Sequence, residues 1–364
     1  MFDWIPLPLY TPTYFNTLLL VALLILLHAS QYDIRDRTSI DFFNITGYFL
    51  VVLIILFIGL RPISGRYFGD TSTYNQIYSL MESGQEVEIR KDFVFNYFMK
   101  FCSNFINIHG FFLLVSIIYV TPCLLFSKKY FGQYWFFAFF MFIASYSFWS
   151  YGTNGLRNGL GTAFFILGLY FYNRKRVMYI FFATGYFMHA SILIPIAAFL
   201  VSGFYKNPKA YFYIWLASIP LSLAGGSAWI SFFGSLGIAE DRTAGYLTDA
   251  EINLEQFSQT GFRWDFLLYS ASAVFAGWYF IFKKNITDRF YIHLFGIFCI
   301  SNAFWILVIT AAFSNRFAYL SWFLMPAVIA YPMFRYKIWN DQYKIFALIL
   351  FAYFMFTYFM NVIK

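Results

Sequence analysis

The chain has 364 residues, 61% of them apolar and only 12% charged, with a mean hydropathy of +0.63. Soluble domains carry about 25% charged residues, so the soluble globular class is excluded. The net charge of +8 then reads as cytoplasmic anchoring of membrane segments and not as nucleic-acid binding.

Apolar runs follow one another along the chain at 15–30, 43–60, 108–126, 132–150, 158–173, 177–204, 210–224, 265–282, 290–312, 317–333 and 343–361. A span needs about 20 mostly apolar residues, and backbone groups in hydrocarbon must bond within their own segment. The expected fold is therefore all-α, a polytopic transmembrane helical bundle of about 11–12 passes. It reads as a single integral membrane domain over 1–364 with two long connections, 61–107 and 225–264. The opening "MFDWIPLPLYTPTYFN" carries Asp3 and no basic n-region, so its apolar run is expected to stay as a helix. The 52 Phe read as lipid-facing filler. Cys102, Cys123 and Cys299 have neither paired nor metal-ligand spacing and read as small core residues.

The first long connection holds Arg61 and Arg66 at the end of the second run, then "GDTSTYNQIY". Asp70 or Thr71 can cap a short helix there, with Tyr74 and Tyr78 on one face. Residues 93–107 are amphipathic and fit a helix at the interface or against the bundle. Snorkelling arginines over an ordinary capped helix would use the same residue types. In "YGTNGLRNGLG", Arg157 opens the fifth run among glycines, where a helix N-terminus plus a guanidinium suits an anion.

Residues 177–204 would make a helix of about 42 Å, too long for a core of about 30 Å. The run carries His189, Ser191 and Pro195 near its middle, so it reads as a broken helix or hairpin meeting near His189. With that hairpin, the clusters "DIRDR", "SKK", "NRKR", "YKNPK", "KKNITDR" and "RYKIWNDQYK" fall on one side and hold most of the 25 Lys and Arg, as positive-inside bias requires. Arg157, His189, Arg242 and Arg316 then share the opposite, non-cytoplasmic face with both long connections. Arg242 and Tyr246 are four residues apart in "DRTAGY", and Arg316 opens "NRFAYL" with Tyr319 one turn on. Scattered arginines on that face do not serve anchoring. Their planar forks suit phosphate, and the tyrosines suit sugar.

In this order and spacing, "LRPISGRYFGDTSTYNQIY", "NGLRNGLGTAFFILGLYFYNRKR" and "FFATGYFMHASILIPIAAFL" resemble the EpsG/Wzy family of bacterial polysaccharide repeat-unit polymerases. The likeness rests on Arg61 with Gly69, Asp70 and Tyr74, on Arg157 with Asn158 and Gly159, and on His189 with Ser191. Asn158 stands where Gln is commoner in the family.

The resemblance implies a GT-C-like membrane glycosyltransferase in the bacterial inner membrane with its site facing the periplasm. It would join undecaprenyl-pyrophosphate-linked oligosaccharides into O-antigen, capsule or exopolysaccharide, with a chain-length regulator as a candidate partner and no cofactor or metal. Arg157, Arg242 and Arg316 would hold pyrophosphate, with Arg61 or Arg66 assisting, and Asp70 or His189 would be the base. An O-antigen ligase-type transferase and a lipid-linked oligosaccharide flippase are the alternatives.

Overall fold

The computed structural model describes residues 2–89, 91–235, 261–311 and 314–364. Every regular element among the described residues is a helix. Eight helical stretches there are long and apolar enough to cross a membrane, so the chain is a polytopic helical membrane protein.

In chain order the helices are α1 (Leu7–Gln31), α2 (Arg37–Gly59), α3 (Gly65–Phe68), α4 (Thr71–Glu82), α5 (Phe93–Ser103) and α6 (Ile108–Phe131). Then come α7 (Trp135–Ile143), α8 (Tyr146–Thr153), α9 (Leu156–Tyr170), α10 (Lys175–Met188), α11 (Leu193–Phe204) and α12 (Pro208–Ser235). The last five are α13 (Trp264–Trp278), α14 (Arg289–Leu307), α15 (Asn315–Trp322), α16 (Met325–Arg335) and α17 (Gln342–Tyr358). The chain divides into two compact units, one of Met1–His189 with Met333–Lys364 and one of Ala190–Pro332.

In the first unit, α6 packs between α2 and α9, α10 packs on α9 and α5, and α1 pairs with α17. The run at 132–150, expected as one span, is instead a 3-10 turn followed by the nine-residue α7 and the eight-residue α8. All nine residues of α7, "WFFAFFMFI", are buried. Its phenylalanines are therefore core and not lipid-facing filler: Phe136 stacks on Phe43 at 5.1 Å and Phe137 on Phe334 at 5.7 Å. The break falls at Ala144 and Ser145, where the apolar stretch gives way to serines and Ser145 takes an extended backbone at φ −70 and ψ 148.

The run at 177–204 breaks where its sequence indicated. α10 ends at Met188, His189 is extended at φ −160 and ψ 125, and α11 restarts after a 3-10 turn at Ala190–Ile192. The connection expected at 225–264 is helical at its start, because α12 continues to Ser235 across a bend at Gly225. The connection at 61–107 contains α3, α4 and α5.

In the second unit, α11, α12, α13 and α15 all pack on α14. A helix packed on many sides is mostly apolar, and α14 fits that rule apart from a few polar residues, of which His293, Ser301 and Asn302 are buried. The Asn302 amide is used at both ends. Trp215 Nε1 donates to Asn302 Oδ1 at 2.7 Å, and Asn302 Nδ2 donates to Ser270 Oγ at 3.1 Å and Ser321 Oγ at 2.9 Å. Trp322 Nε1 donates to the same Ser270 Oγ at 2.7 Å. One side chain thus ties α12, α13, α14 and α15 together, in a setting where no water competes.

Asn302→Ala leaves the Trp215 indole and two serines short of partners. Bonds of this kind inside membranes contribute about 0.6 kcal/mol each. The variant should lose about 1–2 kcal/mol, read as a lower thermal midpoint in detergent, whereas Asn302→Gln recovers part of it.

Candidate functional site

The site of the first unit is built on an interrupted helix. α8 ends at Thr153, Asn154 stays in the right-handed region at φ −109 and ψ −63, Gly155 leaves it at φ −84 and ψ 57, and α9 begins at Leu156. Such a break exposes backbone carbonyls that need partners, and residues 61–71 provide them. Arg61 Nη2 donates to the Thr153 carbonyl at 2.9 Å, and Thr71 Oγ1 donates to the same oxygen at 3.1 Å. Asp70 N–H donates to Asn154 Oδ1 at 2.9 Å. Gly69 makes that last approach feasible. Its φ is +53, and a Cβ there would lie 2.3 Å from Asn154 Oδ1. Gly159 fits the crossing in the same way, since a Cβ would lie 2.6 Å from the Tyr151 carbonyl oxygen.

Arg61 is 1% exposed. Its second fork nitrogen, Nη1, donates to the Ile58 carbonyl at 2.6 Å, and the guanidinium lies 4.7 Å from the centre of the Phe112 ring. Burial pushes its pKa down to about 10, with Tyr10 and Tyr74 opposing, which still leaves it charged at neutral pH. Its geometry is that of a clamp between the end of α2 and the α8–α9 break.

Arg157, in the first turn of α9, is situated differently. Its side chain is 25% exposed, and Nη1 donates to Asp92 Oδ2 at 2.5 Å. The guanidinium also acts electrostatically on the Tyr74 hydroxyl. Burial pushes the Tyr74 phenol up, Arg157 works against that, and Asp70 and Asp92 reinforce it. Tyr74 therefore lies within electrostatic reach of two cations, Arg61 and Arg157, and two carboxylates. The arrangement is a partly exposed guanidinium at a helix N-terminus, which can take up an anion, with a phenol and a half-buried carboxylate close by.

Sequence reasoning named Asp70, Tyr74 and Arg157, and the fold brings these three together. Asp70 occupies the N-cap position of α4, but its side chain makes no cap bond. Arg66 is exposed on α3, 5.7 Å from the Tyr67 ring centre. His189 is buried at the extended end of α10, its N–H bonded to the Gly185 carbonyl. Arg316 is exposed on the first turn of α15 in the second unit, where Asn315 Nδ2 donates to Tyr319 Oη at 3.1 Å. Arg242 and Tyr246 lie outside the described residues.

Asp92 was missed as a site residue, although an Asp directly before the amphipathic 93–107 stretch is a helix-start signal. Asn154 was missed too, and its "NG" is a turn signal. Among the described residues no three His, Cys, Asp or Glu side chains are grouped to hold a metal.

A family model described as the EpsG family matches residues 44–364 of the chain. No curated protein and no solved structure matches it.

The docking of residues 61–71 on the break yields a prediction. Gly69→Ala places an alanine at φ 53 and ψ −114, a region that non-glycine residues avoid at a cost of about 1–3 kcal/mol, and adds a collision with Asn154. Amide exchange over 66–82 should quicken at least tenfold, with Asn154→Ala giving a smaller effect in the same segment. Arg61→Lys loses one of two fork bonds in a dry site and should lower the thermal midpoint of the protein.

Proposed function

The chain belongs to the EpsG family, and from that premise and the Arg157 geometry we propose a glycosyltransferase that polymerises lipid-linked oligosaccharide repeat units. Donor and acceptor are oligosaccharides on undecaprenyl diphosphate. The setting is the bacterial inner membrane with the site facing the periplasm, and the fold type is that of GT-C enzymes. A chain-length regulator is a fitting partner.

In the reaction, a hydroxyl of the acceptor's terminal sugar attacks the anomeric carbon of the growing chain. The bond from that carbon to the diphosphate oxygen breaks, and undecaprenyl diphosphate leaves carrying the electron pair. Two demands follow: stabilisation of charge on the leaving diphosphate and removal of the hydroxyl proton. The observation that carries the reading is Arg157, a partly exposed guanidinium on the first turn of α9 held by Asp92, with the Tyr74 hydroxyl in its electrostatic reach. A planar fork can bind two diphosphate oxygens at once, and the amide groups of the first turn add to the field. Tyr74 offers a ring and hydroxyl suited to a sugar.

Asp70 shares Tyr74 as a neighbour with Arg157, which supports it as the base. His189 at the α10 break is the other candidate. Arg66, Arg242 and Arg316 are assigned to further diphosphate contacts, with Tyr246 toward the sugar. Arg61 serves as the clamp that sets the α8–α9 break, since both of its Nη groups are bonded to carbonyls.

Arg157→Ala and Arg157→Lys should each abolish elongation of synthetic lipid-linked repeats by the purified protein, with insertion retained; Arg157→Ala also lowers the thermal midpoint, because it leaves the buried Asp92 carboxylate without its partner, whereas Arg157→Lys keeps a cation beside it. Lys keeps the charge but not the fork, so full activity in Arg157→Lys would defeat a two-oxygen contact. Asp70→Asn should reduce kcat by about 10²–10⁴-fold, and if His189→Gln does so in its place the base is His189. In cells, deletion should leave surface glycan of a single repeat. Long unattached lipid-linked chains would instead identify a ligase, and elongation by purified protein without any gradient rules out a flippase.

A further inference from the structure

Asp92 has features that a simple staple would not need. It occupies the N-cap position of α5, yet its side chain makes no cap bond. Its backbone is left-handed, at φ 49 and ψ 48, a region that residues other than Gly, Asn and Asp avoid. The carbonyl is fastened into the first turn, accepting from Asn96 N–H at 3.0 Å and Asn96 Nδ2 at 3.3 Å. The carboxylate is 3% exposed while its partner Arg157 is 25% exposed. The acid is thus walled in and held by its backbone, and the cation is the member of the pair that meets incoming molecules.

A buried carboxylate depends on its counter-ion. Any second anion that takes hold of Arg157 must share the guanidinium with Asp92 and lie close to a like charge. Resting on the reading of Arg157 as a ligand of the lipid diphosphate, we infer that Asp92 is a resident counter-anion that limits how tightly Arg157 holds the departing undecaprenyl diphosphate, and so sets its release. While the diphosphate is bound, Asp92 is only partly compensated. As it leaves, the guanidinium returns fully to Asp92, and that recovery favours departure. Asp92 is in this sense a positioning residue for the leaving group, acting through Arg157.

Two substitutions remove the charge and still tolerate a left-handed backbone: Asp92→Asn, which keeps a hydrogen-bond acceptor, and Asp92→Gly. Binding of undecaprenyl diphosphate and of undecaprenyl monophosphate to the purified full chain in detergent is measured for each, with steady-state and single-turnover elongation. Both variants should bind the diphosphate about tenfold more tightly than the parent. Each should show a lower KM and a lower kcat, with a burst of about one glycosidic bond per enzyme before the slow phase. Loss of a mere staple would produce neither the tighter binding nor the burst. Diphosphate binding unchanged or weakened in both variants would overturn the role of Asp92 and leave the proposed function standing. If the parent protein itself does not distinguish diphosphate from monophosphate, the reading of Arg157 fails, and the role of Asp92 with it.

Discussion

The interruption between α8 and α9 is the constraint on which the site depends. A continuous helix through 146–170 would consume its own carbonyls and present no N-terminus at Arg157. Breaking it frees the Thr153 carbonyl, and an unpaired buried carbonyl costs several kcal/mol in an apolar setting. Arg61 and Thr71 both donate to that one oxygen, and Asn154 receives the Asp70 N–H. Because those donors come from the stretch following α2, the same bonds that make the break tolerable also bring Asp70 and Tyr74 toward Arg157. Local backbone chemistry and the assembly of the site are one event.

The two arginines of this region illustrate how environment separates residues of one type. Arg61 is sealed, bonded to two carbonyls and stacked on Phe112. Arg157 keeps part of its surface open and is balanced by a buried acid. A charge completely enclosed by fixed dipoles stabilises a shape, whereas a charge at an opening with a compensating anion behind it can exchange partners. Residue type does not tell the two apart; only their surroundings do.

The second unit solves a different problem, that of holding four of its helices, α12 to α15, together where water cannot drive their association. Asn302 does so by satisfying every amide atom against side chains of three neighbouring helices. It is the hub of the unit's polar core, and the α15 turn bearing Arg316 is fastened through Ser321 and Trp322.

Hydrophobicity and helical necessity made the class legible from the chain alone: a polytopic α-helical membrane protein, interrupted at His189, with Asp70, Tyr74 and Arg157 singled out by type and spacing. These are properties of short windows, where composition, capping residues and proline bear directly on the backbone. What only the tertiary structure decided was which partner each polar group meets. Asp92 and Arg157 are 65 residues apart, Arg61 and Thr153 are 92 apart, and no local pattern encodes such pairings. The phenylalanines of α7 face the core and not lipid for the same reason: an apolar side chain is equally at home in either, and the choice belongs to the neighbours that folding supplies.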